Sequence, residues 1–334
     1  KQNKFSEEFL NYLENFRFTG DVWAIPEGTV VFPNEPLITV RAPIIQAQLL
    51  ETMLLLTTNH QSLIATKTSR IVKEAQGRPV MEFGARRAHG INAAVEGARA
   101  AIIGGAIGTS CTLSAKEFNV PASGTMAHSW VQSFDSEYEA FKTYAEIYPD
   151  DCTLLIDTYN TIESGLPNAI KVFNEVLKPK GYKPKAVRLD SGDLAYLSKK
   201  VRKILDEAGY TECKICATNS LDEYLIKSLI EQDAKIDSFG VGENLITAKS
   251  EPVFGGVYKL VGIEKDTKII PKIKVSENVV KVTNPGFKKV YRFYDNESQK
   301  AIADVIALSD EIIDEREYMI FDPQNPWKKK LIKD

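Results

Sequence analysis

With 334 residues, 43% of them hydrophobic and 26% charged, the chain has the ordinary balance of a soluble globular protein and a length for about two domains. A net charge of −3, with Lys and Arg spread along the chain, argues against nucleic acid as the main ligand. No apolar run approaches the ~18 residues of a membrane helix and the opening residues hold no signal-peptide stretch, so no membrane association is expected and the chain is read as cytoplasmic.

The sequence opens without an initiator Met, in an amphipathic stretch from Phe5 to Phe16, and both ends are read as cut. Residues 21 to 42 alternate apolar and polar positions between the turn signals Pro26-Glu-Gly28 and Pro33-Asn-Glu-Pro36, which is β-hairpin material. From Ile44 to about Thr68 apolar residues recur at helical spacing, with no Gly or Pro to stop them, and a long helix is expected. Seven short apolar runs then follow: Val80–Phe83, Ala106–Thr109, Ala122–Met126, Thr153–Asp157, Lys185–Asp190, Lys214–Ala217 and Ile236–Gly240. Helical stretches fall between most of them, at Ala88–Ile103, Glu137–Ile147, Ile162–Leu177, Leu194–Ala208 and Leu221–Ile230. Repeated βα units imply an α/β fold with a parallel sheet; an open doubly wound sheet fits the pattern, but seven units with polar strand ends favour an irregular, TIM-like βα barrel.

After Pro252 the texture returns to β-rich sequence with turns, through Val257–Val261, Ile269–Val275, Asn284-Pro-Gly and Val290–Tyr294. Asn325–Asp334 reads as a basic tail or an interrupted strand. Residues 21 to 42 alone make too few strands for a sheet, so residues 1–45 and 250–334 are expected to combine into one domain flanking a barrel of residues 46–249. Four cysteines give no disulfide framework. Cys213 and Cys216 form a C-x-x-C inside an apolar run that reads as a buried strand, with no second pair or nearby His to complete a zinc site.

In a βα barrel the active site lies at the C-terminal ends of the strands. Those ends carry Phe83-Gly-Ala-Arg86-Arg87, Gly108-Thr109-Ser110, Gly124–Ser129, Asp157–Asn160, Arg188–Asp193, Thr218-Asn219-Ser220 and Phe239–Asn244. Asp190-Ser-Gly-Asp193 ahead of a helix fits an N-cap, which explains one carboxylate. It leaves unexplained an Arg two residues before Asp190 and a second carboxylate, Asp157, ending the previous strand. Phe239-Gly-Val-Gly242 is a weak glycine motif that gains a phosphate-binding reading from a late barrel strand. His60 and His89 fall in predicted helices and read as structural, whereas His128 follows the small residues Ser123-Gly-Thr into the barrel mouth, where Asp157 can orient its ring. A P-loop and a G-x-S-x-G elbow are both absent.

Phe83-Gly-Ala-Arg-Arg-Ala, Ser123-Gly-Thr-Met-Ala-His-Ser129, Leu155-Ile-Asp-Thr-Tyr159, Arg188-Leu-Asp-Ser-Gly-Asp193 and Phe239-Gly-Val-Gly242, in that order, resemble the motif set of the nicotinate phosphoribosyltransferases. The resemblance covers roughly residues 20 to 330. It implies a type II phosphoribosyltransferase barrel with a second, α/β sandwich domain, a homodimer with sites at the interface, and ATP-coupled transfer of phosphoribosyl from phosphoribosyl pyrophosphate to nicotinic acid. It implies that ATP phosphorylates His128, with Asp157 as the hydrogen-bond partner. Arg188 would hold phosphates, Asp190 the ribose hydroxyls or Mg2+, and Gly240 with Gly242 the 5′-phosphate. Phe83 would stack on the pyridine ring beside Arg86, with Thr109, Ser191, Gly192 and Asn219 completing the substrate-binding set.

The related nicotinamide enzymes place an Asp where this chain has Ser110, and a hydroxyl with Arg86 suits a carboxylate better than an Asp would. Nicotinamide and quinolinate transfer and a catalytically inactive ligand-binding homologue are the alternatives. The family's N-terminal Thr-Asp-x-Tyr segment, which reaches the neighbouring subunit's site, has no counterpart in these residues, and the family's C-terminal extension also has none.

Overall fold

The computed structural model describes residues 4–275, 282–314, 316–322 and 325–333. The chain forms two units, one of Lys1–Leu55 with Val257–Asp334 and one of Leu56–Gly256.

In the first unit, strands β1 (Asp21–Ala24) and β2 (Ile38–Arg41) pair antiparallel, with Val22 opposite Val40. The helix expected from Ile44 to Thr68 is two helices, Ile44–Leu49 and Glu51–Glu74, parted at Leu50. The second runs past Thr68 because nothing stops it before Gln76 and Gly77, which both take positive φ.

The second unit carries β3 (Val80–Glu82), β4 (Gly108–Thr109), β5 (Thr153–Leu155), β6 (Ala186–Leu189), β7 (Lys214–Ala217) and β8 (Ser238–Val241). They form one parallel sheet in the order β4-β3-β8-β7-β6-β5. The first of these strands pairs with the last, Met81 lying opposite Gly240, so the sheet curls round as a barrel wall does. It does not close among the described residues. The third expected strand, Ala122–Met126, contributes a single bridge, Ala122 with Thr109, and no ladder links it to β5. Pro121 lacks a donor and Ala122, Ser123 and Gly124 offer little to pack, so this stretch passes the sheet as extended chain.

Helices cover the sheet with apolar stripes. Leu194–Glu207 buries Leu194, Val201 and Leu205 at helical spacing, and its N-cap Asp193 accepts the Tyr196 N–H at 3.0 Å. Glu137–Ile147 buries Phe141 and Ala145, and Glu223–Glu231 buries Ile226 and Leu229. The helix expected from Ala88 starts at Ile91, because Gly90 takes φ +119°, which leaves His89 ahead of it rather than inside it. The stretch 162–177 is helical but wound as π-turns at Thr161–Gly165 and Phe173–Leu177 around an α segment. Gly165 is required there, since a Cβ would meet the Ile156 carbonyl oxygen at 1.8 Å. Short helices escaped the sequence reading, among them Thr112–Phe118, His128–Gln132 and Glu243–Ile246. Cys213 and Cys216 are both free and buried, and burial pushes the Cys213 thiol up to about 12.

The C-terminal part of the first unit is a series of antiparallel ribbons: β9 (Gly262–Lys265) with β10 (Lys268–Pro271), β11 (Lys288–Tyr294) with β12 (Ala301–Leu308), and β13 (Glu317–Asp322) with β14 (Asn325–Lys333). Val257–Val261 is not a strand, and the run from Ile269 leaves the ladder at Pro271. The terminal residues, open between tail and strand in the sequence, pair as β14. Side chains tie the N-terminal and C-terminal segments of this unit together: Arg41 meets Glu264 at 2.6 Å, the Trp23 and Phe287 rings lie 4.9 Å apart, and Arg292 donates to the Val30 carbonyl at 2.6 Å.

Candidate active site

The sheet's strands end together, and their last residues build one polar cluster. After β5 the chain continues the ladder for one residue, Ile156 N–H donating to the Arg188 carbonyl at 3.2 Å, and then presents Asp157. Its carboxylate is almost wholly buried. Oδ2 accepts the Asp190 N–H at 3.0 Å and the Ser191 hydroxyl, while Oδ1 is buried without a hydrogen-bond partner and points toward His128 Nε2 at 4.0 Å.

His128 occupies the first position of its short helix, with 38% of its side chain exposed. Its Nδ1 lies 3.1 Å from the Thr158 hydroxyl and its Nε2 lies 3.4 Å from Asp190 Oδ2. The partner read from the sequence, Asp157, therefore stands just outside hydrogen-bond reach, and Thr158 and Asp190 are the nearer groups. Burial works to raise the Asp190 carboxyl, but the Thr218 hydroxyl, the Arg188 guanidinium and His128 together hold it below the usual range.

Arg188 is the hub of the cluster. Nε donates to Thr218 Oγ1 at 3.0 Å, Nη1 to Thr125 Oγ1 at 2.7 Å and the Met126 carbonyl at 3.3 Å, and Nη2 to Asp190 Oδ1 at 3.1 Å. Of the five donors of a guanidinium these bonds leave one for a ligand, so Arg188 binds the segment leading to His128 onto the ends of β6 and β7. Thr218, which also donates to Asp190, immediately precedes a strained pair: Asn219 and Ser220 both take positive φ, at 88° and 47°. Asn244 clamps that turn from below, donating through Nδ2 to the Ser220 carbonyl at 2.8 Å and the Leu221 carbonyl at 3.2 Å.

Phe83 follows β3 and is half-buried; its N–H donates to the Val241 carbonyl at 2.8 Å. A Cβ on Gly240 would meet its ring at 2.5 Å, so the glycine is explained by the aromatic packed over it. Gly240 lies within β8, and Gly242 is the N-cap of the short helix Glu243–Ile246. Arg86 and Ser110 are exposed at the ends of β3 and β4, Thr109 is buried, and Ser191 and Gly192 are exposed, Gly192 with φ +77°. No group of three or more His, Cys, Asp or Glu side chains is arranged to hold a metal among the described residues.

Sequence reasoning placed Thr125, Thr158, Thr218 and Asn244 at the strand ends but gave none of them, nor Glu82, a role. The three threonines are partners of His128, Arg188 and Asp190, and Asn244 holds the Ser220 and Leu221 carbonyls, all fixed by side-chain geometry that sequence spacing does not encode. Glu82 had a signal, a carboxylate inside the apolar run of β3.

A six-stranded parallel sheet curled into a half-barrel with helices between its strands defines an α/β protein, and a histidine, two carboxylates and an arginine gathered at the strand ends mark the candidate site at its carboxyl edge. Family models match three stretches: the nicotinate phosphoribosyltransferase N-terminal domain over residues 1–59, the nicotinate phosphoribosyltransferase family over 79–297 and its C-terminal domain over 287–334. The chain belongs to the nicotinate phosphoribosyltransferase family. It is 49% identical to nicotinate phosphoribosyltransferase of Bacillus subtilis (strain 168), over 98% of this chain and 72% of that protein. It is 48% identical to nicotinate phosphoribosyltransferase pncB2 of Mycobacterium tuberculosis, over 86% of this chain and 60% of that protein. Its structure superposes on human nicotinic acid phosphoribosyltransferase with a TM-score of 0.82 at 26% identity, covering 98% of this chain and 72% of the human one. Nicotinate-nucleotide pyrophosphorylase from Pyrococcus furiosus gives 0.71 at 28% identity, covering 94% of this chain and 73% of that one.

Proposed function

We propose that the chain transfers phosphoribosyl from phosphoribosyl pyrophosphate to nicotinic acid, giving nicotinate mononucleotide and pyrophosphate, in a reaction coupled to ATP through phosphorylation of His128. The observation that carries the coupling is the setting of the histidine. Nε2 faces two carboxylates, Asp190 at 3.4 Å and Asp157 at 4.0 Å, and a lone pair aimed at them would be repelled, so Nε2 carries the proton. Nδ1 then holds the lone pair, which accepts the Thr158 O–H at 3.1 Å in the resting site. Once that hydroxyl turns away, Nδ1 attacks the γ-phosphorus of ATP, the bond to the bridging oxygen breaks and ADP leaves. The imidazolium character that develops on the ring is stabilised by the buried Asp157 and by Asp190.

Glycosidic bond formation builds positive charge on the ribose while pyrophosphate departs, so a carboxylate near the sugar and donors near the leaving group are what the reaction needs. In this reading Asp190 faces the ribose and Arg188, through its remaining N–H, a phosphate. Ser191, Gly192, Asn219 and the Gly240–Gly242 segment complete that half of the site, while Phe83, Arg86 and Ser110 receive the base with the buried Thr109 behind them. Asp190 would hold Mg2+ through Oδ2, which it shares with His128 Nε2 at 3.4 Å, since Thr218 and Arg188 occupy Oδ1. The ion would neutralise charge on the leaving group. The reading extends to a homodimer with interfacial sites, an α/β sandwich for the terminal unit and a cytoplasmic location.

The test is product formation from nicotinic acid, phosphoribosyl pyrophosphate and Mg2+, with and without ATP, alongside His128→Ala and with nicotinamide and quinolinate as competing bases. Nicotinate mononucleotide formed by the wild type and stimulated by ATP only when His128 is present is the expected result. Product from another base would reassign the substrate, and no product from any base would leave an inactive ligand-binding homologue.

A further inference from the structure

The first strand of the sheet ends on a carboxylate for which the proposed chemistry has no use. Glu82 is completely buried, 0% exposed, and its only polar neighbours among the described residues are uncharged donors. A buried carboxylate without a counter-ion is costly, and an apolar residue would fill the same space more cheaply. Its two oxygens serve different loops. Oε1 accepts the N–H of Gly84, the residue that opens the turn Ala85–Arg87 holding Arg86. Oε2 accepts the hydroxyl of Thr109 at 2.6 Å, and Thr109 Oγ1 in turn accepts the Cys111 N–H at 2.9 Å, so these two residues bracket Ser110. The Glu82 carbonyl accepts the Ser110 N–H at 2.9 Å as well.

We propose that Glu82 is a positioning residue that fixes the Phe83–Arg86 loop against Ser110 and thereby sets the fit of a heteroaromatic carboxylate between them. The inference rests on the reading of Phe83, Arg86 and Ser110 as the base pocket. Glu82 touches no substrate in this scheme; it acts through Gly84 and Thr109, each of which offers it one donor from a different loop. Burial pushes its carboxyl above the ordinary glutamate range, against the pull of the Thr109 and Gly84 bonds, which marks how little else compensates the charge.

The experiment compares wild type, Glu82→Gln and Thr109→Val as full chains, by steady-state kinetics in each substrate and by amide hydrogen exchange. Gln keeps the volume and offers one acceptor where two are needed; Thr109→Val breaks the same link from the other loop and serves if the first variant fails to fold. The expected result is a KM for nicotinic acid raised about tenfold or more, the equivalent of one charge-assisted hydrogen bond, with the KM for phosphoribosyl pyrophosphate within about twofold. Exchange at residues 84–87 and 110–111 should speed up while β5, β6 and β7 keep their protection. Equal rises in both KM values, loosening of the whole sheet, or no change in either arm would overturn the proposal. A wild type that does not use nicotinic acid would instead remove the functional reading, and exchange confined to the two loops would still separate that failure from a failure of the coupling.

Discussion

At Gly240 and Asp157 single atoms decide what the site tolerates. A methyl group at Gly240 would sit 2.5 Å from the Phe83 ring and 2.7 Å from Thr218 Cγ2, so Gly240→Ala must displace the aromatic or the strand. Overpacking of this kind costs about 1–3 kcal/mol, and urea unfolding of the variant should show a midpoint lowered to match. Asp157→Asn retains the shape but turns one buried acceptor into a donor. With Oδ still taking the Asp190 and Ser191 bonds, the amide would face His128 Nε2 and favour the wrong tautomer, slowing phosphohistidine formation by about 10²-fold or more. Acid-labile label transferred from γ-labelled ATP measures this, and labelling at the wild-type rate would rule out the tautomer argument. Asp157, Arg188 and Asp190 stood out in the sequence because they end strands of the sheet, where a βα barrel builds its site, and His128 because it follows small residues into the same mouth. The hydroxyls that bind them did not stand out, because Thr125 and Thr218 are ordinary strand and loop residues until the fold brings Arg188 between them.

Among the elements, the helices Glu51–Glu74 and Glu223–Glu231 are joined by a buried ion pair, Lys67 to Glu223 at 2.7 Å, with side chains 5% and 8% exposed. Glu223 begins the helix that follows the Asn219–Ser220 turn, so the pair anchors the element on which that strained turn is mounted. Removing one partner leaves a buried charge, and Lys67→Met should destabilise by about 3–5 kcal/mol, whereas Lys67→Met with Glu223→Leu should recover most of the loss. Equal instability in single and double variants, by urea unfolding, would show that packing rather than charge is at stake. Periodicity made most helices legible, and short apolar runs marked six of the seven strand positions. It failed at Ala122–Met126, where small residues next to a proline make extended chain without a ladder, and at His128–Gln132, too short for a period to show. The π-turns of 161–177 are equally invisible, since they keep the apolar pattern of a helix while shifting its register.

Across the whole molecule, folding pushes one carboxyl up in each unit and holds others down, among them the site residue Asp190 and, in the terminal unit, Asp304. In the barrel unit burial raises Glu82, while Asp190 is lowered. In the terminal unit burial, and then the neighbouring Asp304, raise Glu35, and Asp304 is lowered chiefly by its hydrogen bond from Arg292, at 2.7 Å. A carboxyl whose folded value is lowered adds stability above its ordinary value of 3.8, and that stability is lost as pH falls through the folded value. One whose folded value is raised does the reverse: its contribution is complete below the ordinary 4.5 and disappears as pH rises through the folded value. The two kinds together predict a melting temperature that falls on the alkaline side of 4.5 and collapses on the acid side of 3.8. Glu35→Gln with Glu82→Gln removes the raised pair, together with the Glu35–Asp304 hydrogen bond, so the double variant should gain on the wild type progressively as pH rises from 4.5. Calorimetric melting profiles across pH 3 to 8, a range chosen to bracket both ordinary values, decide it. A constant difference between double variant and wild type over the alkaline limb would mean that neither carboxyl is raised by folding, and that the cost of burying Glu82 is met by its hydrogen bonds.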